Sequence, residues 1–154
     1  MKILIISSED NFVTQVAKGW LKKLEPDFKV FSAGTENPGE PDEIAIMLMK
    51  ENNIDISNFE VHKIDEYLTE NWNCVITLYP DNSQTHPELT GKIDNRYYIK
   101  ISDFLSIAGL KDDDRILAYR TIIEDLKNLI FDFYLKINNK EILGSDSCGN
   151  WCDS

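Results

Sequence analysis

The sequence predicts a small α/β protein: parallel strands in one sheet, with helices packed on both faces. Three observations carry that expectation. The chain has 154 residues, a length that suits a single domain with a proper core. Short apolar runs alternate with segments whose apolar residues recur every three or four positions. Strands separated by helices in this way require right-handed crossovers, and hence a parallel sheet covered on both sides.

The elements follow in order. Lys2 to Ile6 is a nearly continuous apolar run, as expected of a strand buried on both faces. Val16, Ala17, Trp20, Leu21 and Leu24 come next at helical spacing, and Pro26 closes that segment. Phe28 to Phe31 reads as a second strand, ended by Ser32-Ala33-Gly34. Pro41 is expected to open a second helix carrying Ile44, Met47 and Leu48, since its missing N–H costs nothing in a first turn. Cys74 to Leu78 is a third strand, followed by the turn composition Tyr79-Pro80-Asp81-Asn82-Ser83. Tyr97 to Ile101 is a fourth. A long helix then carries Ile116, Tyr119, Ile122, Ile123, Leu126, Leu129, Ile130 and Phe133 along one stripe. Residues 1–137 are expected to form the domain. Residues 138–154, where the chain turns polar, are expected to form a flexible tail.

Composition narrows the function classes. Against 16 basic side chains stand 27 acidic ones, a net charge of −11, which argues against nucleic acid or an anionic membrane as partner. An apolar content of 42% argues against disorder despite that charge. No run approaches the roughly 18 apolar residues of a membrane span, so a soluble, cytoplasmic protein is expected. Cys74, Cys148 and Cys152 are too few for a secreted disulfide framework, and Cys74, at the head of a buried strand, reads as a small hydrophobe. No cofactor is expected. Ligands of parallel sheets sit beyond the carboxyl ends of the strands, which directs attention to loops 7–14, 79–87 and 102–110.

Several segments then fall into a recognisable order. They are Ser32-Ala-Gly-Thr35, Pro41 through Met49-Lys50-Glu51, Ile54-Asp-Ile-Ser57, Lys63 with Asp65-Glu66-Tyr67-Leu68, and Trp72 with Val75-Ile76-Thr77-Leu78. Their order and spacing resemble the low-molecular-weight protein tyrosine phosphatases and, more closely, the thioredoxin-coupled arsenate reductases of the same fold. The match runs from Lys2 to about Phe133. It implies a three-layer α/β/α sandwich whose four parallel strands take the order 2-1-3-4.

The resemblance breaks at the active-site loop. Family members carry Cys-x5-Arg-Ser/Thr between the first strand and the first helix. Aligning back from Gln15, Ala17, Gly19 and Trp20 puts Ser7 at the nucleophile position, Val13 at the arginine position and Thr14 at the hydroxyl position. Only Thr14 is retained in type. The family's chemistry needs a thiolate, obtained by lowering a cysteine pKa from about 8.5. A serine hydroxyl titrates far higher, and no histidine lies nearby in sequence to serve as its base. Val13 has no fork of donors with which to grip an oxyanion. Glu9 and Asp10 stand where glycine and asparagine are usual, and two carboxylates there repel phosphate or arsenate. The cradle is expected to keep its shape while losing its reactivity. As a nucleophile in its own right, Ser7 lacks the flanking glycines of a hydrolase elbow and reads more simply as a loop or capping hydroxyl.

The other family positions are also altered. The arsenate reductase thiol relay falls on Tyr79 and His86, with Asp81 matching a family aspartate between them. The phosphatase general acid falls on Asp103, six residues before Gly109 but followed by Phe104 instead of proline. Glu9, Asp10, Asp81, Asp103 and His86 are expected near the mouth of the former site, either as a solvated acidic rim or as ligands for Mg²⁺ or Ca²⁺. Tyr97 and Tyr98 either line the old pocket or pack in the core. The tail Ser147-Cys-Gly-Asn-Trp-Cys-Asp-Ser154 echoes the family loop; Cys148 and Cys152 are either a redox dithiol or a coincidence of composition. Two expectations for function follow. The first is a catalytically silent relative that binds a protein partner. The second is an arsenate reductase or tyrosine phosphatase-type enzyme that borrows Cys148 and Cys152, with thioredoxin as partner only in that case.

Overall fold

The computed structural model describes residues 1–79, 89–101 and 109–143, with side chains described as far as residue 139. The elements are β1 (Lys2–Glu9), α1 (Val13–Leu24), β2 (Lys29–Asn37), α2 (Glu43–Glu51), a 3₁₀ turn (Ile64–Tyr67), β3 (Trp72–Tyr79), β4 (Ile93–Lys100) and α3 (Asp112–Leu143). All strand pairs are parallel, and the order is β2-β1-β3-β4, as the resemblance implied.

The pattern of β1 explains its central place. Ile3, Leu4, Ile5 and Ile6 are all fully buried, which only a strand with neighbours on both edges and layers on both faces achieves. Ile3 and Ile5 join a cluster with Val16, Ala17 and Leu21 of α1, Leu48 and Met49 of α2, and Leu126, Ile130 and Phe133 of α3. Leu4 and Ile6 point the other way, into a smaller cluster with Ile64 and Tyr67 of the 3₁₀ turn, Trp72 and Leu89. Phe31, Tyr67 and Trp72 meet edge-on there, at centroid separations of 5.4–5.9 Å. Among the described residues, then, the α-helices supply one cluster and a single turn of 3₁₀ helix supplies much of the other.

Several boundaries differ from the sequence reading. β1 outruns its apolar stretch as far as Glu9, and β2 passes straight through Ser32-Ala33-Gly34 to Asn37. The cause is backbone pairing: Ser7 lies opposite Gly34 and Glu9 opposite Asn37, with a bulge between. Gly34 is required by close approach, because a Cβ there would lie 2.0 Å from the Asn37 carbonyl oxygen. α2 starts at Glu43 and not at Pro41, since the Asp42 carboxylate accepts the Ile44 and Ala45 amides at 3.1 Å and fixes the cap. β4 begins four residues earlier than expected; its polar Asp94-Asn95-Arg96 stretch belongs to an edge strand. α3 continues to Leu143, with Ile137 buried in the main cluster, so the boundary expected at 137/138 falls inside a helix. Among the described residues no helix is long and apolar enough to cross a membrane.

Candidate functional site

The carboxyl end of β1 and the start of α1 hold the residues singled out above. The expected anion cradle does not open at once. Residues 7 to 9 remain strand, and the Asp10 amide donates to the Pro38 carbonyl at 3.0 Å, so it does not turn toward a ligand. Ser7 is 4% exposed, and its Oγ has no hydrogen-bond partner among the described residues. Among the described residues no base holds its proton. Val13 is 2% exposed and packs into the main apolar cluster together with Phe12. The Phe12 ring stacks on Tyr119 of α3, 4.4 Å away and 25° from parallel. The Tyr119 hydroxyl donates to Asp42 Oδ2 at 2.6 Å, which ties α3 to the cap of α2; burial first, and then this bond, raise the phenol pKa well above its usual value.

Asp10 departs most from the sequence reading. Expected on an acidic rim at the mouth, it is instead fully buried. Its Oδ1 accepts the Thr14 hydroxyl at 2.7 Å and Gln15 Nε2 at 2.9 Å, and its Oδ2 accepts the His62 amide at 2.8 Å. Burial pushes its carboxyl pKa up, opposed by the hydrogen bonds from Thr14, Ser32 and His62 and by the Lys18 charge. The carboxylate therefore joins β1, α1 and the 60–63 segment; it is a structural anchor whose oxygens are already in use. The Thr14 hydroxyl, expected from the resemblance at the family's hydroxyl position, is used in that anchor. Glu9 is partly exposed and accepts Asn11 Nδ2 at 3.0 Å.

The remaining candidates separate cleanly. Tyr79, expected from the resemblance at the first relay position, ends β3 with 8% exposure, and its carbonyl accepts the Ile101 amide. Tyr97 is buried, edge-on to Phe133 at 5.0 Å, and so packs in the core. His62 lies between Glu66 and Glu60, with Nδ1 3.1 Å from Glu66 and Nε2 3.7 Å from Glu60. Asp81, His86, Asp103, Cys148 and Cys152 lie outside the described residues. Among those described, no three His, Cys, Asp or Glu side chains are grouped to hold a metal ion.

Sequence reasoning missed Gln15 and the His62 backbone as members of this network. Gln15 is 3% exposed; its Nε2 also reaches the Asp10 and Glu60 carbonyls, at 3.0 and 3.3 Å. The apolar pattern gave no signal for it: Gln15 lies two residues from both Val13 and Ala17, on the side of α1 opposite the stripe that Val13, Val16 and Ala17 mark.

This arrangement defines a four-stranded parallel α/β protein with the fold of the low-molecular-weight phosphatases. Comparison with known proteins makes the class specific. An arsenate reductase of Staphylococcus aureus (strain bovine RF122 / ET3-1) is 36% identical over 97 residues, which span 62% of this chain and 73% of that protein. An arsenate reductase solved in a phosphate-binding state superposes with a TM-score of 0.69 over 88% of this chain and 98% of its own, at 22% identity. The fold is also that of the Erwinia amylovora tyrosine phosphatase amsI, with a TM-score of 0.57 over 85% and 91% of the two chains at 16% identity. A thioredoxin-dependent arsenate reductase from Corynebacterium glutamicum gives 0.58 over 90% of this chain and 62% of that one, at 19% identity. No family model matches the sequence. The chain belongs to the family of arsenate reductases that share the low-molecular-weight tyrosine phosphatase fold.

Proposed function

We propose that this chain is a catalytically inactive member of that family, a cytoplasmic protein that binds or regulates a protein partner. The observation that supports this reading is the pair Ser7 and Val13. Where the family's chemistry needs a thiolate there is a buried hydroxyl with no hydrogen-bond partner among the described residues. Where it needs a guanidinium there is an apolar side chain sealed into the core. The buried Asp10 next to them opposes any incoming oxyanion. The test is an assay of the full chain with arsenate, thioredoxin, thioredoxin reductase and NADPH, alongside p-nitrophenyl phosphate hydrolysis. Both rates are expected to equal the no-enzyme background. Hydrolysis abolished by Ser7→Ala would overturn the proposal.

A second reading is favoured by the names of the relatives: an arsenate reductase or tyrosine phosphatase-type enzyme using Cys148 and Cys152. It predicts thioredoxin-dependent arsenate reduction that disappears in a Cys148→Ser/Cys152→Ser variant with an unchanged melting temperature.

A further inference from the structure

The opposite end of α1 carries a feature that the active-site reading does not use. Its last turn and the middle of α3 diverge around a cleft of about 590 Å³, within the usual size range of binding pockets. Trp20, Leu24 and Phe131 give it an apolar lining, and Lys23 and Lys127 provide cations. Phe131 is 47% exposed and Leu135, one helical turn further along α3, is 43% exposed, so the apolar strip runs on out of the cleft. The Trp20 ring is fixed by its Nε1, which donates to the Ile123 carbonyl at 3.2 Å. Both ammonium groups lie over that ring, 5.9 Å and 5.7 Å from its centroid. Lys23 also donates to the Asn52 carbonyl at 3.0 Å, and Lys127 reaches Glu124 at 3.6 Å across an exposed pair.

The charge pattern singles this place out. On a chain of net charge −11, no carboxylate lines the cleft among the described residues, whereas two lysines do. We propose that the cleft docks an acidic amphipathic helical segment of a partner protein. Its apolar side chains would pack on Leu24, Phe131 and Leu135, and its carboxylates would meet Lys23 and Lys127. Phe131 and Leu135 are spaced i, i+4, matching the ridge of a helix laid alongside α3. A compact small molecule would leave Leu135 uncovered, and an anionic membrane would be repelled by the rest of the surface. This docking does not depend on whether the β1–α1 turn is catalytic, because the cleft lies at the far end of α1.

The test uses the full chain and a fluorescein-labelled peptide of about 14 residues, with Leu and Phe at i, i+3, i+4 and i+7 and Glu elsewhere, read by fluorescence polarisation. Saturable binding that weakens with added NaCl is expected. Affinity should fall about tenfold for Lys23→Gln/Lys127→Gln, the loss of two exposed ion pairs. It should also fall for Phe131→Ser. All three side chains are exposed, so both variants should melt with the parent chain; if Phe131→Ser does not, the lysine variant decides. The same peptide with Lys in place of Glu should not bind. Absence of saturable binding, equal affinity for the double-lysine variant, or equal binding of the basic peptide would each overturn the proposal. So would a dimer in sedimentation equilibrium that Phe131→Ser dissociates, which would give the cleft to a second copy of the chain.

Discussion

At the scale of single residues the informative group is Asp10, a carboxylate with no exposure that accepts hydrogen bonds from Thr14, Gln15 and His62. Its pKa is raised in the fold, chiefly by burial, above the 3.8 of a free aspartate. The folded state therefore holds this proton more tightly than the unfolded chain does. Asp10's contribution is fully present below pH 3.8 and is lost as pH rises through the folded pKa. Carboxylates with lowered values, such as Glu66 beside His62, act in the opposite direction, so a difference measurement is needed. Denaturant unfolding of the parent and Asp10→Asn between about pH 4 and pH 7 should show a parent stability that declines more with pH than the variant's. Parallel pH profiles would refute the assignment. None of this was legible in the sequence, where an aspartate in a βα loop reads as solvated. Only the convergence of β1, α1 and the 60–63 segment reveals how it is held.

At the scale of elements, the path of β2 past Ser32-Ala33-Gly34 shows what a turn-forming composition leaves undetermined. Glycine there answers a steric demand and does not end the strand. Its amide donates to the His62 carbonyl at 2.8 Å while the Asn37 carbonyl occupies the space of a Cβ. Gly34→Ala should therefore destabilise the chain by more than about 2 kcal/mol. Gly109→Ala, with nothing among the described residues within 4 Å of its Cβ position, should cost far less. Thermal unfolding of the two variants side by side checks this, and equal shifts would contradict it. The start of α2 is a different kind of miss. Asp42-Glu43 already spelled a cap with an acidic first turn, and Pro41 merely precedes it.

At the scale of the molecule, α3 seats on the sheet through Leu126, Ile130 and Phe133, all fully buried. Phe133→Ala should cost about 3–5 kcal/mol, since it opens a cavity and removes the edge-on partner of Tyr97. Phe131→Ala, two residues away on the exposed face, should be nearly silent in the same melts. A comparable loss at both positions would mean that α3 is rotated about its axis.

The sequence by itself determined the alternation of strands and helices, and the order of its short motifs carried the family resemblance that implied the strand order. Apolar periodicity and the spacing of short motifs are local properties, and they survive in one dimension. Tertiary structure alone decided that Asp10 turns inward, that β1 and β2 extend through polar residues, and that two lysines gather over Trp20. Each of these rests on groups far apart in the chain, such as Asp10 with His62 or Lys23 with Lys127, whose meeting is set by how the layers pack.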